Sequence, residues 1–582
     1  MKITGAQAIV KCLEEQGVEI IFGFPGGVII DLFDELEKSD ITNVLVRHEQ
    51  AAVHAADAYG RVKGEVGVAL VTSGPGATNT VTGIASAYCD SIPMVVFTGQ
   101  VPTALIGNDA FQEVDIVGIT RPCTKHNYLV KAVTRLADTI HEAVYVATTG
   151  RPGPVVVDLP KDILFAEGPY YAPNGNEHPS YKPQVKGDES AVERAVDLLA
   201  KAKRPIFYGS GSLINAGPKA SKRYAELVRL TQAPTTLTLM GLGAYPSQDR
   251  QFLGMLGMHG TYEANLAMYN CDVMINIGAR FDDRVTGRIA DFSPNSTKVH
   301  VDIDPSSINK NVVVDLPIIG DAATVLEQML KVWKAKGYKA NAKPLEKWWA
   351  QIETWRKRDC LAFTKDSSII KPQHAIKRLY ELTRDRDTYI TTEVGQHQMW
   401  AAQYFGFEEP NRWMTSGGLG TMGYGLPAAM GVQIAHPDAT VIDIAGEASY
   451  LMNIQELSTL AQYRLPVKSF IVNNQWMGMV RQWQELNHGG RYSESYSESL
   501  PDFIKVAEAF GGVGLRAETI DQLDDVIMEM LETDRFVLAD IMVKKDENFF
   551  PMIPSGAAHY EMLLGPDDKA ERETSENGMV LV

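Results

Sequence analysis

Apolar residues along the chain recur in two periods. Over residues 18–165, short β-branched runs (EIIFGFP, NVLVRH, VGVALVTS, PMVVFTG, GPVVVDLP) alternate with Ala-rich stretches at helical spacing. Apolar runs of this length read as strands buried on both faces, and their alternation with helices predicts a parallel sheet covered on both sides. The pattern returns in RPIFYGSG, APTTLT, CDVMINIGAR, KVHVDIDP and PIIGDA, and again from about residue 371 in TYITTEVG, ATVIDIAGEAS, VKSFIVNNQ and FVLADIMV, with GLPAAMGVQIAHP among them. At the start, Thr4 is placed to cap a helix with Ala6, Ile9, Val10 and Leu13 on one face and Gly17 as its stop, which is a folded helix and not a signal peptide. The expected fold class is therefore α/β, with three doubly wound parallel-sheet domains. The boundaries are an N-terminal domain 1–167, an aperiodic Pro/Gly/Tyr linker 168–190, a central α/β domain 191–340, a charged helical connector 341–370, a third domain 371–555 and a polar C-terminal arm or lid 556–582.

Charge and cysteine usage exclude several functions. With 55 Lys+Arg against 72 Asp+Glu the formal charge is −17, so phosphate backbones and anionic headgroups would repel the chain; neither nucleic acid nor membrane is expected as a partner. The longest apolar runs, 66–71 and 93–97, fall far short of the roughly 18 residues of a membrane span. Cys12, Cys89, Cys123, Cys271 and Cys360 are odd in number, far apart and without a CxxC pair, a pattern of reduced thiols in a cytoplasmic protein. No nucleophilic triad, Walker loop or zinc spacing is present.

The strongest chemical signal lies in the third unit. Strand ATVIDIA ends in Gly446-Glu447-Ala448-Ser449, strand VKSFIV ends in Asn473-Asn474, and Glu447 precedes Asn474 by 27 residues. Oxygen ligands at adjacent strand ends, with backbone N–H groups at a following helix start, form a holder for a hard divalent cation and a diphosphate. Either half alone reads as a helix-dipole charge or a turn. Together they resemble the fingerprint of thiamine diphosphate-dependent enzymes, in which Gly-Asp-Gly is followed after about 27 residues by an Asn pair. Here Glu447 stands in place of the Asp and Ala448 in place of the second Gly. In the first unit, Glu49 lies where strand NVLV opens into a helix, and thiamine chemistry needs a carboxyl group on the pyrimidine N1′.

Further matches cover nearly the whole chain: GFPGG (23–27), RHEQAA (47–52), TSGPGATN (72–79), FQEVD (111–115), RPGPVVVDLPKD (151–162), MHGTYEANLAM (258–268), GARFDDRVTG (278–287), GQHQMWAAQ (395–403), GGLGTMGYGLPAAMG (417–431), NNQWMGMVRQWQ (473–484) and PMIPSG (551–556). In these the chain resembles the acetohydroxyacid synthase (acetolactate synthase) family, whose members decarboxylate pyruvate on thiamine diphosphate and transfer the hydroxyethyl unit to pyruvate or 2-oxobutanoate in valine, leucine and isoleucine biosynthesis.

The resemblance implies a pyrimidine-binding first domain, an FAD-binding central domain and a diphosphate- and metal-binding third. It makes Glu49 the catalytic pyrimidine partner, gives Gly420 the pyrimidine amino group, and makes Met422 the wedge that bends the cofactor. Gln396, His397, Gly446, Ala448 and Ser449 would bind the diphosphate, with Glu447, Asn474 and the Trp476 carbonyl on Mg²⁺. Gly27, Phe111, Gln112 and Lys161 would border the substrate channel from a neighbouring subunit, which implies a homodimer or dimer of dimers with sites at the interface. A separate regulatory small subunit is implied as well. Arg151, Gly209, Gly211, His259, Arg280, Asp302 and Asp321 match the site of an FAD that takes no electrons in the main reaction. Substrate choice would rest on Met258, Arg284, Met479 and Trp483, although the i, i+4 spacing of the last two also reads as core packing. Two alternatives remain: another thiamine enzyme of this build (pyruvate oxidase, glyoxylate carboligase, sulfoacetaldehyde acetyltransferase), or a degenerate non-catalytic paralogue, suggested by Glu447. The turn Gly74-Pro75-Gly76 reads only as a turn, His126, His141 and His300 as structural, and Trp348-Trp349 as linker packing.

Overall fold

The first helix, Gly5–Glu15, begins at Thr4, whose side chain caps Gln7 N while the Gln7 side chain returns to the Thr4 backbone; Gly17 ends the turn with φ 74°. The computed structural model to which it belongs describes residues 2–173, 178, 180–364 and 368–568. Three six-stranded sheets, each parallel throughout, follow one another along the chain. In spatial order the first runs Thr42–Leu45, Ile20–Phe24, Gly67–Val71, Met94–Gln100, Pro154–Pro160, His126–Leu129. The second runs Phe252–Met255, Thr235–Leu237, Pro205–Gly209, Val273–Ile277, Thr297–Asp302, Leu316–Ile319. The third runs Trp413–Met414, Thr388–Thr392, Thr440–Ala445, Lys468–Asn473, Val537–Met542, Val513–Ala517.

Three expected boundaries move. Strand Glu167–Pro169 pairs antiparallel with Lys2–Thr4 and belongs to the first unit, and the next helix starts at Glu189 with Asp188 as its cap, so the linker is shorter at both ends. The expected connector contains a helix, Ala342–Arg356, that is part of the central unit: Trp348 is buried and donates to Pro205 O, and Trp349 donates to Gln232 O. Its two indoles carry more apolar surface than a solvated connector would leave in water. The arm, over its described residues 556–568, docks on the central unit through buried His559 against Val285 O and an Arg288–Glu561 ion pair; the DDKAERETSEN tail lies mostly outside the described residues.

The first and third units meet along two helices of small residues, Glu49–Lys63 and Gly425–Ala435. A Cβ at Gly431 would lie 2.2 Å from Ala55 O, so close approach of the backbones depends on that glycine. Asp57, Arg61 and Tyr424 bury polar groups in the same seam: Arg61 pairs with Asp57 and Asp90, and Tyr424 donates to Asp57. Burial raises Asp57, but the Arg61 charge opposes it, and the paired network satisfies what an apolar seam could not.

Candidate active site

Doubly wound sheets bind ligands beyond the C-terminal ends of their strands, where helix starts and loops converge. Apart from Arg151, which lies ahead of strand Pro154–Pro160, the candidates from all three units sit there, and they form three groups.

The first group closes over the third sheet. Strands Thr388–Thr392, Thr440–Ala445 and Lys468–Asn473 are neighbours, and their ends carry Gln396 and His397, Glu447, and Asn474. A Cβ at Gly446 would lie 2.7 Å from His397 Nδ1, and one at Gly478 would lie 2.0 Å from Gln396 Oε1, so both glycines admit neighbours that any other residue would push out. Asn474 Nδ2 donates to Gln396 Oε1 over 3.4 Å, Trp476 N to Asn474 Oδ1 over 3.0 Å, and Gln396 Nε2 to Gln482 Oε1 over 2.8 Å. Ser449 turns its hydroxyl back to Gly446 O, and Ala448 lies inside the short helix Glu447–Tyr450 and outside the left-handed region. The Trp476 ring packs between Tyr492 and Tyr496.

Glu447 is 1% exposed, and its Oε1 has no hydrogen-bond partner. Burial pushes it up to about 8, against its own backbone N–H and those of Asn474 and Trp476. His397 Nε2 is likewise buried without a partner, and burial drives that imidazole down to about 3, so it is neutral. A buried carboxylate oxygen without a partner is costly; a divalent cation between it and a diphosphate would remove the cost. The donor set of one carboxylate, one amide oxygen and a main-chain carbonyl is hard oxygen, which suits Mg²⁺.

The second group lines a cavity of about 1260 Å³ between the units, above the roughly 300–1,000 Å³ of a single small-ligand pocket. Arg151, Gly211, His259, Arg280, Asp302 and Asp321 line it, as do Met258, Arg284, Gly420, Met422, Met479 and Trp483. Met479 and Trp483 therefore face open space and are not core. Buried Tyr208 Oη, Thr238 Oγ1, His259 Nδ1 and Asp282 Oδ1 have no partner, and their residues line the same cavity. An elongated polar ligand such as FAD fits such a lining. Arg151 holds Ser91 and Asp304, and Asp321 caps Thr324 N over 2.8 Å. Gly209 does not line the cavity. It ends strand Pro205–Gly209, where a Cβ would meet Leu213 and Leu237 at 2.7 Å; its smallness serves packing beneath the turn.

The third group stands on the first sheet and is absent from the cavity lining. Glu49 opens helix Glu49–Lys63. Lys161 Nζ donates to Gly27 O over 3.2 Å. Gln112 has φ 61° and packs on Gly74, and Phe111 is 88% exposed. The turn expected to be only a turn is part of this group: a Cβ on Gly76 would come within 3.4 Å of Glu49 Oε1, and Asn79 donates to Glu49. The contacts of the Glu49 carboxylate are with Asn79 and Gly76, both of its own unit.

Sequence reasoning missed Glu456, whose buried carboxylate receives Arg47 N from 409 positions away, and Glu393, beneath Gly423. Neither carries a local signal, because each acts on a backbone remote in sequence.

The chain matches three domain models in order: the N-terminal TPP binding domain of thiamine pyrophosphate enzymes over residues 3–119, their central domain over 192–329 and their C-terminal TPP binding domain over 393–541. It is 50% identical over 573 residues to the acetolactate synthase isozyme 3 large subunit of Escherichia coli K12, covering 97% of this chain and 99% of that protein. It is 47% identical over 578 residues to the acetolactate synthase large subunit of Haemophilus influenzae, covering 99% and 100%. A probable acetolactate synthase large subunit of the archaeon Methanocaldococcus jannaschii is 45% identical over 560 residues, with 95% and 94% covered.

Proposed function

The chain belongs to the acetolactate synthase large-subunit family of thiamine pyrophosphate enzymes, and from that premise we propose how its own residues perform the reaction. The enzyme decarboxylates pyruvate and transfers the remaining two-carbon unit to a second 2-ketoacid, pyruvate or 2-oxobutanoate. The product is 2-acetolactate or 2-aceto-2-hydroxybutanoate, at the entry to branched-chain amino acid biosynthesis. The observation that carries this reading is the unpartnered, buried Glu447 Oε1 beside Asn474 and His397, at strand ends adjoining a cavity that Met479 and Trp483 line.

When bound, thiamine diphosphate supplies the carbon nucleophile and the electron sink that decarboxylation requires. Glu447, Asn474 and the Trp476 carbonyl would hold Mg²⁺, while Gln396, His397 and the Gly446–Ser449 turn would orient the diphosphate. The Gly420 carbonyl would receive the pyrimidine amino group, and the Met422 side chain would pack against the cofactor; both residues line the cavity. Glu49 keeps a proton at the pyrimidine N1′. Because Glu49, Gly27, Phe111, Gln112 and Lys161 stand away from the cavity of their own chain, with Phe111 in water, they serve the site of a second copy. Arg284, more than half exposed at the cavity edge, offers a guanidinium fork to the second ketoacid's carboxylate. Arg151, Gly211, His259, Arg280, Asp302 and Asp321, which line the cavity, would hold FAD. The relatives' designation as large subunits supports a separate regulatory small subunit. No helix among the described residues is long and apolar enough to cross a membrane; the five free cysteines favour a reducing compartment such as the cytoplasm.

Incubation with pyruvate, thiamine diphosphate, Mg²⁺ and FAD, followed by acid treatment and a colour assay for acetoin, tests the reading. Pyruvate consumed with acetate or acetyl phosphate as the product, and no acetoin after acid treatment, would replace it with an oxidase.

A further inference from the structure

Glu393 follows strand Thr388–Thr392 and is fully buried. Its carboxylate receives two backbone donors: Gly423 N over 2.6 Å on Oε2, from the loop that leads into helix Gly425–Ala435, and Leu426 N over 3.2 Å on Oε1, from the first turn of that helix. That loop carries Gly420 and Met422, both on the cavity wall. Gly420 and Gly423 flank Met422 with φ of 72° and 89°, left-handed turns that hold only if the backbone around them is pinned. At its entry the loop is pinned by Asp90, which receives Gly417 N and Gly418 N, and by Ser416, which receives Thr421 N. At its exit the pins are Glu393 and Asn453, whose Nδ2 donates to Gly423 O over 2.5 Å.

We propose that Glu393 is the positioning residue of this loop: by accepting the N–H groups on the far side of Met422 it fixes the direction of the Gly420 carbonyl and of the Met422 side chain. This rests on the reading that both face the cofactor. Glu393 itself touches neither cofactor nor substrate. Its neighbour Asp443, also fully buried, receives Thr391 Oγ1 on one oxygen and has no partner on the other. Burial, and then the Glu393 charge, raise Asp443 well above the carboxylate range. Burial raises Glu393 as well, opposed by the Leu426 and Gly423 N–H groups that its oxygens accept, so its hold on the loop rests on the geometry of those two bonds.

Glu393→Gln sets an amide N–H₂ against one of the two backbone N–H groups, donor facing donor. Thiamine diphosphate binding is measured in the presence of Mg²⁺ by tryptophan fluorescence, together with the near-ultraviolet circular dichroism of the bound cofactor, in Glu393→Gln, Glu393→Asp and Met422→Ala. Losing one of these buried hydrogen bonds is expected to weaken binding about tenfold in Glu393→Gln and to alter the dichroic band. Glu393→Asp, which keeps two acceptor oxygens at shorter reach, should recover most of the affinity, and FAD content should not change. Should Glu393→Gln not fold, Glu393→Asp decides, and unaltered affinity and dichroism in it overturn the proposal. If Met422→Ala perturbs the band while Glu393→Gln leaves affinity and band at the starting values, Glu393 has no positioning role. If Met422→Ala also leaves both unchanged, the loop does not face the cofactor and the underlying reading fails first. Loss of FAD in parallel with thiamine diphosphate would mark Glu393 as a general packing residue and overturn the proposal as well.

Discussion

Asn79 Nδ2 donates to Glu49 Oε2 over 2.9 Å, and this contact turns the other carboxylate oxygen, Oε1, toward Gly76, where a Cβ would come within 3.4 Å of it. One oxygen is spent on aiming the side chain, and the other is left for chemistry at the open edge of the first sheet.

Replacing Glu49 with Gln should therefore leave the fold intact, since a glutamine oxygen still accepts from Asn79, while removing the group that can share the N1′ proton. We expect a loss of about 10²–10⁴-fold in turnover, in line with general acid–base contributions, with unchanged FAD content. Mixed with a chain inactivated by Asn474→Ala, the Glu49→Gln chain should regain activity, because one of the two interface sites then has both residues intact. Near-normal turnover in Glu49→Gln alone would place the catalytic carboxylate elsewhere; no recovery in the mixture would place the site within one chain.

The three sheets were legible because their central strands, such as Met94–Gln100 and Lys468–Asn473, carry apolar cores (MVVF, FIV) and are buried along their whole length. Four outer strands were not: His126–Leu129, Phe252–Met255, Trp413–Met414 and Val513–Ala517 are short, polar or glycine-interrupted, as strands with one unpaired edge can be. The Glu447–Asn474 pair was legible because both residues end adjacent strands of one unit. The groups that aim the site, Glu393 beneath Gly423 and Glu456 beneath Arg47, were not, since each recognises backbone amides that leave no mark on residue type.

Trp483 lines the cavity one helical turn beyond Met479, a flat apolar wall that an ethyl group covers more fully than a methyl. One buried methylene is worth about 0.8 kcal/mol, a factor of about four. Trp483→Leu should lower the preference for 2-oxobutanoate over pyruvate as acceptor by roughly that factor, seen when both acceptors compete and both products are quantified. An unaltered product ratio would leave Trp483 with no part in acceptor choice.

FAD is expected to copurify and to take no part in carboligation, because the cavity of about 1260 Å³ that Arg151, His259 and Asp321 line has room for it, while the reaction has no net electron transfer. Purified enzyme should show flavin absorbance, and reduction of that flavin should leave the acetolactate rate unchanged. A colourless preparation with full activity would contradict this.

Asp158 is 2% exposed and receives Thr98 Oγ1 and Gln100 Nε2; burial nevertheless pushes it up to about 7 from the usual 3.8. Its folded-state value lies above the unfolded one, so its contribution is full below about pH 4 and is lost as pH rises toward 7. The magnitude is on the order of a few kcal/mol. Asp158→Asn cannot titrate, so its melting temperature relative to the parent should rise across pH 4–7 and then level off. A difference independent of pH would mean that Asp158 is ionised in the folded chain throughout.

Glu447 poses the sharpest question of geometry, since Mg²⁺ requires near-octahedral oxygen ligands at about 2.0–2.1 Å and a Glu reaches roughly 1.3 Å further than an Asp. Either the turn that carries it withdraws or the side chain folds back. A withdrawing turn would move the Gly446–Ser449 amides away from the diphosphate. In the structure Ala448 lies in a helix, and His397 packs close on Gly446, which favours a held turn and a folded-back side chain, at a cost of the order of 1 kcal/mol. We therefore expect an active enzyme that needs more Mg²⁺ or Mn²⁺ than an Asp-bearing relative, and tighter binding of metal and thiamine diphosphate in Glu447→Asp, by about a factor of five to ten. Titrations of metal at fixed thiamine diphosphate, read both by calorimetry and by activation, compare the two forms. Weaker metal binding in Glu447→Asp would show that the surrounding groups, Asn474 and the Trp476 backbone first among them, are spaced for the longer side chain.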